Sequence, residues 1–111
     1  MASTLTTGTN QVDTRALIRE INARHIEILY PLPLEREEKE RIIDLMKVLP
    51  DIDIKLYRAA SSTDKTAALH EFITCLEAFL KGDFSEFKNH LEQAKAWVEF
   101  IESEKKYRQN F

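Results

Sequence analysis

Cysteine, glycine and proline are all scarce in this chain of 111 residues, which holds one, two and three of them respectively. A lone cysteine, Cys75, can close no internal disulfide and completes no zinc-type pair, so the composition suits a reducing compartment and the expected location is the cytoplasm. So little glycine and proline leaves too few turns for a multistranded sheet and favours helices. No apolar run approaches the ~18 residues that suggest a membrane span, and "MASTLTTGTN" lacks the basic and apolar regions of a signal peptide. A net charge of −3 excludes coating nucleic acid by bulk charge, so any nucleic-acid role must be local. Glycine-rich phosphate loops, nucleophile elbows and recognisable acid–base carboxylate pairs are missing too, and the expectation is a protein with no catalytic role, no cofactor and no metal.

What is present is helical periodicity. The polar first ten residues, without it, read as a mobile tail, and residues 11–111 as one all-α domain, a small bundle of about five helices. From Asp13 to about Tyr30, Leu17, Ile18, Ile21, His25, Ile28 and Leu29 recur at three- and four-residue steps, and "PLP" at 31 to 33 stops that helix. A second helix is expected from Leu34 or Glu35 to Leu49, with Ile42, Leu45, Met46 and Leu49 on one face and Pro50 ending it. Its polar front, "EREEKER", contains the ordered pairs Glu35–Lys39 and Glu37–Arg41 and reads as a solvated face. A short third helix, capped by Asp51, would place Ile52, Leu56, Ala59 and Ala60 on one face with Lys55 and Arg58 on a flank.

Thr63 or Asp64 is expected to cap a fourth helix striped by Leu69, Phe72, Ile73, Leu76, Phe79 and Leu80. Gly82 closes it, and "DFSE" at 83 to 86 resembles a capping box that starts the fifth helix at once. The last two helices therefore form an antiparallel hairpin. On the fifth, Phe84, Phe87, Leu91, Ala94, Val98 and Ile101 form an unbroken core stripe. The expected core combines Leu17, Ile21, Leu45, Leu56, Leu69, Phe72, Leu76, Phe87, Leu91, Ala94 and Val98. Phe100 and Tyr107 fall well outside that face and Trp97 at its edge. They either fold over another helix of the chain or contact a second chain, where aromatic residues commonly serve as anchors.

His25, His70 and His90 have no second histidine or cysteine at ligand spacing and read as structural histidines. Cys75, between Ile73 and Leu76, reads as a small hydrophobe near the core. More distinctive is "DIDIKLYRAASSTDK" at 51 to 65, where Lys55, Tyr57 and Arg58 share a turn that runs straight into four small residues. Lys55 and Arg58 either pair with nearby acids while Tyr57 packs in the core, or they face an external anion.

The segments "IDIKLYRAA", "LHEFITCLEAFLKGD" and "FSEFKNHLEQAKAWVEFI" resemble the small helical subunit of type III-A, Csm-type CRISPR effector complexes. On the last helix, Phe84, Phe87, Glu92, Ala96 and Phe100 carry the likeness. The chain departs from that family in being acidic overall and in holding Ser61 and Ser62 where a basic residue is often found. The resemblance implies a non-catalytic subunit stacked in several copies along a guide-RNA filament, beside copies of itself and other effector subunits. It further implies that Lys55, Arg58 and Lys65 contact the backbone of guide or target RNA, while Ala59 to Ser62 leave room for it, and that Trp97, Phe100 and Tyr107 meet protein partners. The rival reading is a helical adaptor that binds protein through those aromatics without nucleic acid. "LKGDFSEFKNHLEQAKA" also looks like a tetratricopeptide turn, although Phe87 stands where that repeat wants a small residue and no second copy is visible.

Overall fold

A computed structural model describes residues 12–109, so the tail expected at residues 1–10 lies outside the described part. The chain is all-α, with helices α1 (Thr14–Leu29), α2 (Arg36–Met46), α3 (Leu49–Arg58), α4 (Thr63–Leu80) and α5 (Phe84–Gln109), and no strand among the described residues. The α4–α5 hairpin is the scaffold: α1 packs mainly on α4, and α3 bridges α1, α4 and α5. α2 joins through Ile42 and Met46, which enter the same core. Helices of this number make a flat body of 52 × 38 × 18 Å.

The hairpin turn follows from three residues. Gly82 takes a positive φ of 80°, which costs an L side chain backbone strain. In that conformation its N–H donates to the Phe79 carbonyl and the Asp83 N–H donates to the Ala78 carbonyl, both at 2.9 Å, satisfying two carbonyls at the end of α4. The Asp83 side chain then accepts from the Glu86 N–H at 3.1 Å, capping α5 as its spacing implies. Glu86 does not close the box with its own side chain; it turns to His90 instead. Directly behind the turn, Phe79 meets Phe84 and Phe87 edge-on at centroid distances of 4.9 and 5.0 Å.

From there the core runs up the hairpin through Phe72, Cys75, Leu76, Leu91, Ala94 and Val98, and receives Ile18, Ile21 and Leu29 from α1 and Ile52 and Leu56 from α3. Leu17, Leu45 and Leu69, expected in its interior, pack around its margin as partly buried residues. No charged or polar side chain is buried among the described residues, so apolar burial rather than an internal polar network holds the bundle together.

Two boundaries differ from their sequence signals. α2 ends at Met46, and Pro50 sits inside the first turn of α3 rather than terminating a longer α2. A proline there forfeits only an N–H that the first turn leaves unpaired, so it opens a helix as readily as it stops one. Val48 thus takes the N-cap position expected of Asp51, and Asp51 lies one residue further into α3 than the proline. At α4, Ser62 caps by accepting from the Lys65 N–H at 3.1 Å, ahead of the expected Thr63 or Asp64. The "EREEKER" face is also less idle than its pattern implies. Glu38 pairs with Arg41 at 2.9 Å and with Lys88 of α5. Lys39 turns from Glu35 to donate to the Tyr30 carbonyl at 2.7 Å.

Leu91→Ala should destabilise the fold by about 2–5 kcal/mol in urea unfolding, as a large-to-small change in a closed core does. Gly82→Ala should cost about 1 kcal/mol although its Cβ has room, with Ile28 the nearest neighbour at 4.0 Å. An alanine variant as stable as the parent would remove the argument that the positive φ is required.

Candidate nucleic-acid and partner surfaces

α3 and the loop after it carry the basic–aromatic turn. Ala59 leaves the helix with extended geometry (φ −70°, ψ 148°), so Ala59 is half-buried and Ala60 exposed instead of both lying on the core face. Lys65 reaches back from α4 and donates to the Ala59 carbonyl at 3.0 Å, which staples the loop and satisfies a carbonyl just past the end of α3. The small residues Ala59 to Ser62, with Arg58 and Asp64, form one wall of a cleft of about 400 Å³. Ile101, Glu104 and Lys105 of α5 form the other. That second wall exists because α5, at 26 residues against 18 in α4, runs past its partner.

The three cations named from the sequence are thus divided in role. Lys55 is held by Asp51 at 3.1 Å and approaches Glu102 of α5 at 3.8 Å. The hydrogen bond to Asp51, reinforced by the charges of Asp51 and Glu102, raises its pKa. Lys55 therefore belongs to an α3–α5 ion-pair cluster rather than to a free cationic surface. Lys65 is committed to the loop. Arg58 has no acidic partner within ion-pair distance among the described residues and stands in the last turn of α3, where a cation suits the helix dipole. Tyr57 is 77% exposed, so the alternative that placed it in the core is excluded.

On α5, Trp97 packs partly against the core and meets Phe100 edge-on at 6.0 Å, while Phe100 and Tyr107 are 46% and 66% exposed. The aromatic stripe is therefore largely surplus to the interior. Arg15 and Arg19 on α1 were not singled out by the sequence reading. They border a shallow depression with Tyr57, and a signal for them was present: two like charges four residues apart, in and just after a first turn without acids.

His25, His90 and the cysteine have local explanations. His25 Nδ1 lies 3.0 Å from the Asn22 carbonyl. His90 joins the hairpin, with Nδ1 2.6 Å from Glu71 of α4 and Nε2 3.0 Å from Glu86 of α5. The hydrogen bond to Glu71 leads in raising its pKa above the ordinary 6.5, with Glu86 adding to it. The two carboxylates lie on opposite ring nitrogens, which is an arrangement for holding a proton rather than a metal. No cluster of metal-ligating side chains occurs among the described residues. Burial pushes the Cys75 thiol up to about 12, leaving it an inert core group at neutral pH. No helix among the described residues is long and apolar enough to cross a membrane.

Comparison with protein-family models, with curated proteins and with solved structures yields no match to this chain.

Two measurements check these assignments. A raised folded-state pKa means that the stabilisation from protonated His90 is complete below the unfolded value of about 6.5 and is lost as pH rises through the folded value. The stability advantage of the parent over His90→Gln should accordingly shrink as pH rises through that window, and the His90 ring should titrate above 6.5 by NMR. A midpoint at or below 6.5 would contradict the two-carboxylate clamp. Lys55→Glu, which sets a further carboxylate beside Asp51 and Glu102, should lower the melting temperature more than Arg58→Gln does; equal effects would show that the α3–α5 cluster contributes nothing.

Proposed function

We propose that this chain is a non-catalytic, RNA-contacting subunit of a larger ribonucleoprotein, in the manner of the small subunit of type III-A CRISPR effector complexes that its last three helices resemble. The observation that carries this reading is the end of α3. Arg58 stands there without an acidic partner among the described residues, beside exposed Tyr57 and above a cleft whose near wall is made of four small side chains and Asp64. A point charge on a rigid helix next to such room suits a phosphate or sugar contact, which positions an RNA without reading its sequence.

Lys55 contributes to the field of this region but is tied to Asp51, so Arg58 is the principal contact on this reading. One copy with net charge −3 binds RNA weakly, and stacked copies would supply in number what each lacks. The exposed Phe100 and Tyr107, with Trp97 behind Phe100, are the surface for neighbouring protein subunits, either further copies or filament backbone proteins. The same surface supports the second reading, an adaptor that binds protein alone.

Ultraviolet cross-linking of the tagged chain within its native assembly separates the two. RNA cross-links should map to the peptide that contains Tyr57 and Arg58. Arg58→Gln should reduce them while leaving fold stability within about 0.5 kcal/mol, as exposed substitutions usually do. An assembly that contains the chain and carries no RNA would refute the ribonucleoprotein reading and leave the adaptor. Phe100→Ser with Tyr107→Ser should weaken assembly with little change in melting temperature; lost stability with intact assembly would return these residues to the fold.

A further inference from the structure

We infer that the surface between the start of α1 and the outer side of α3 binds single-stranded nucleic acid, with a base stacked on Tyr57 and phosphates held by Arg15 and Arg19. The inference rests on the reading of the chain as an RNA-contacting subunit and gives it a second contact, away from the cleft beside Arg58. Arg15, Arg19 and Tyr57 border one open depression of about 580 Å³.

Three features of this surface make no sense as internal stabilisation. Arg15 lies in the first turn of α1, where the helix dipole disfavours a cation, and no acid stands in that turn to offset it. Arg19 follows four residues later, so two like charges stack on one helix face, an arrangement that destabilises an isolated helix. Neither forms an ion pair among the described residues, whereas Arg24, Arg36, Arg41, Lys47, Lys55, Lys88 and Lys95 do. The two acids within the depression are already engaged: Asp13 caps α1 by accepting from the Ala16 N–H, and Asp53 accepts from the Thr14 hydroxyl. Each accepts a hydrogen bond from α1 and neither pairs with Arg15 or Arg19, so the guanidinium groups remain open to an outside anion.

Tyr57 supplies the second half. Tyr30, equally exposed, has the Lys39 ammonium 5.3 Å from its ring centroid, whereas Tyr57 has no cation or ring against its faces among the described residues. An uncovered aromatic face beside two free guanidinium groups is the pairing by which proteins hold single strands: stacking tolerates every base, and arginine tracks the backbone. Arginines four residues apart on a helix are separated by roughly 6 Å along its axis, which suits successive phosphates of an extended strand. A duplex hides its base faces, and an acidic peptide has none, so the ring favours a single strand over either.

The test is an NMR titration of the full chain at low salt with a uridine decamer, a duplex of equal length and polyglutamate. Expected are shifts at Arg15, Arg19 and Tyr57 with the decamer, about tenfold weaker binding for Tyr57→Ala, and full binding for Tyr57→Phe. Arg15→Gln with Arg19→Gln should flatten the salt slope by roughly 1.4, the single-strand value for two phosphates. Loss with these variants but not with Arg58→Gln supports the inference and withdraws the α3 terminus from the RNA reading. Loss with Arg58→Gln alone overturns the inference and leaves that reading standing. No shift at millimolar decamer overturns it as well. So does equal binding of the duplex, or equal binding of polyglutamate with no effect of Tyr57→Ala.

Discussion

The edge-on contacts of Phe79 with Phe84 and Phe87 lie directly behind the turn at Gly82, and they fix how α4 and α5 slide against each other. Because only residues 81 to 83 separate these helices, their pairing costs little loop-closure entropy and comes from neighbours in sequence. α1 and α3 have no comparable partner of their own. Ile18 and Ile21 of α1, and Ile52 and Leu56 of α3, are buried in the one core that the hairpin and their mutual contact build. A shift of register at the phenylalanines would therefore dislocate every other helix as well.

How much of this was legible in the sequence depended on how local the cause was. The hairpin was, because glycine, an acidic cap and two unbroken apolar stripes are all local signals. The start of α3 was not. Proline both ends and begins helices, and only the turn at Lys47 and Val48, set by packing of Met46 and Leu49 into one core, decides between the two. The surface was legible as a set of residues but not as partnerships. Asp51 lies four residues before Lys55, a visible pairing, whereas Glu102 approaches Lys55 only once α5 has crossed α3. Arg15 and Tyr57 are far apart in the chain and share a surface solely because α1 packs on α3.

The two proposed surfaces point in different directions, and α5 shows why. Glu102 faces α3 through Lys55, and Phe100, two residues earlier, is rotated by about 200° around the helix and so faces away from α3. A partner seated on the aromatic side of α5 would leave the α1–α3 side uncovered. On the proposed reading, one chain can hold a neighbouring subunit and a nucleic acid at once.

Cys75 lies in the second half of α4, fully enclosed, and is the only thiol in the sequence. While the hairpin is closed, its raised pKa and its enclosure together withhold the thiolate from any reagent in solution. In an opened chain the same group returns to an ordinary value near 8.5 and reacts freely. With a thiol reagent concentrated enough to react before the chain recloses, the rate of modification is the frequency with which α4 leaves its neighbours, so the chain carries a built-in clock for its own opening.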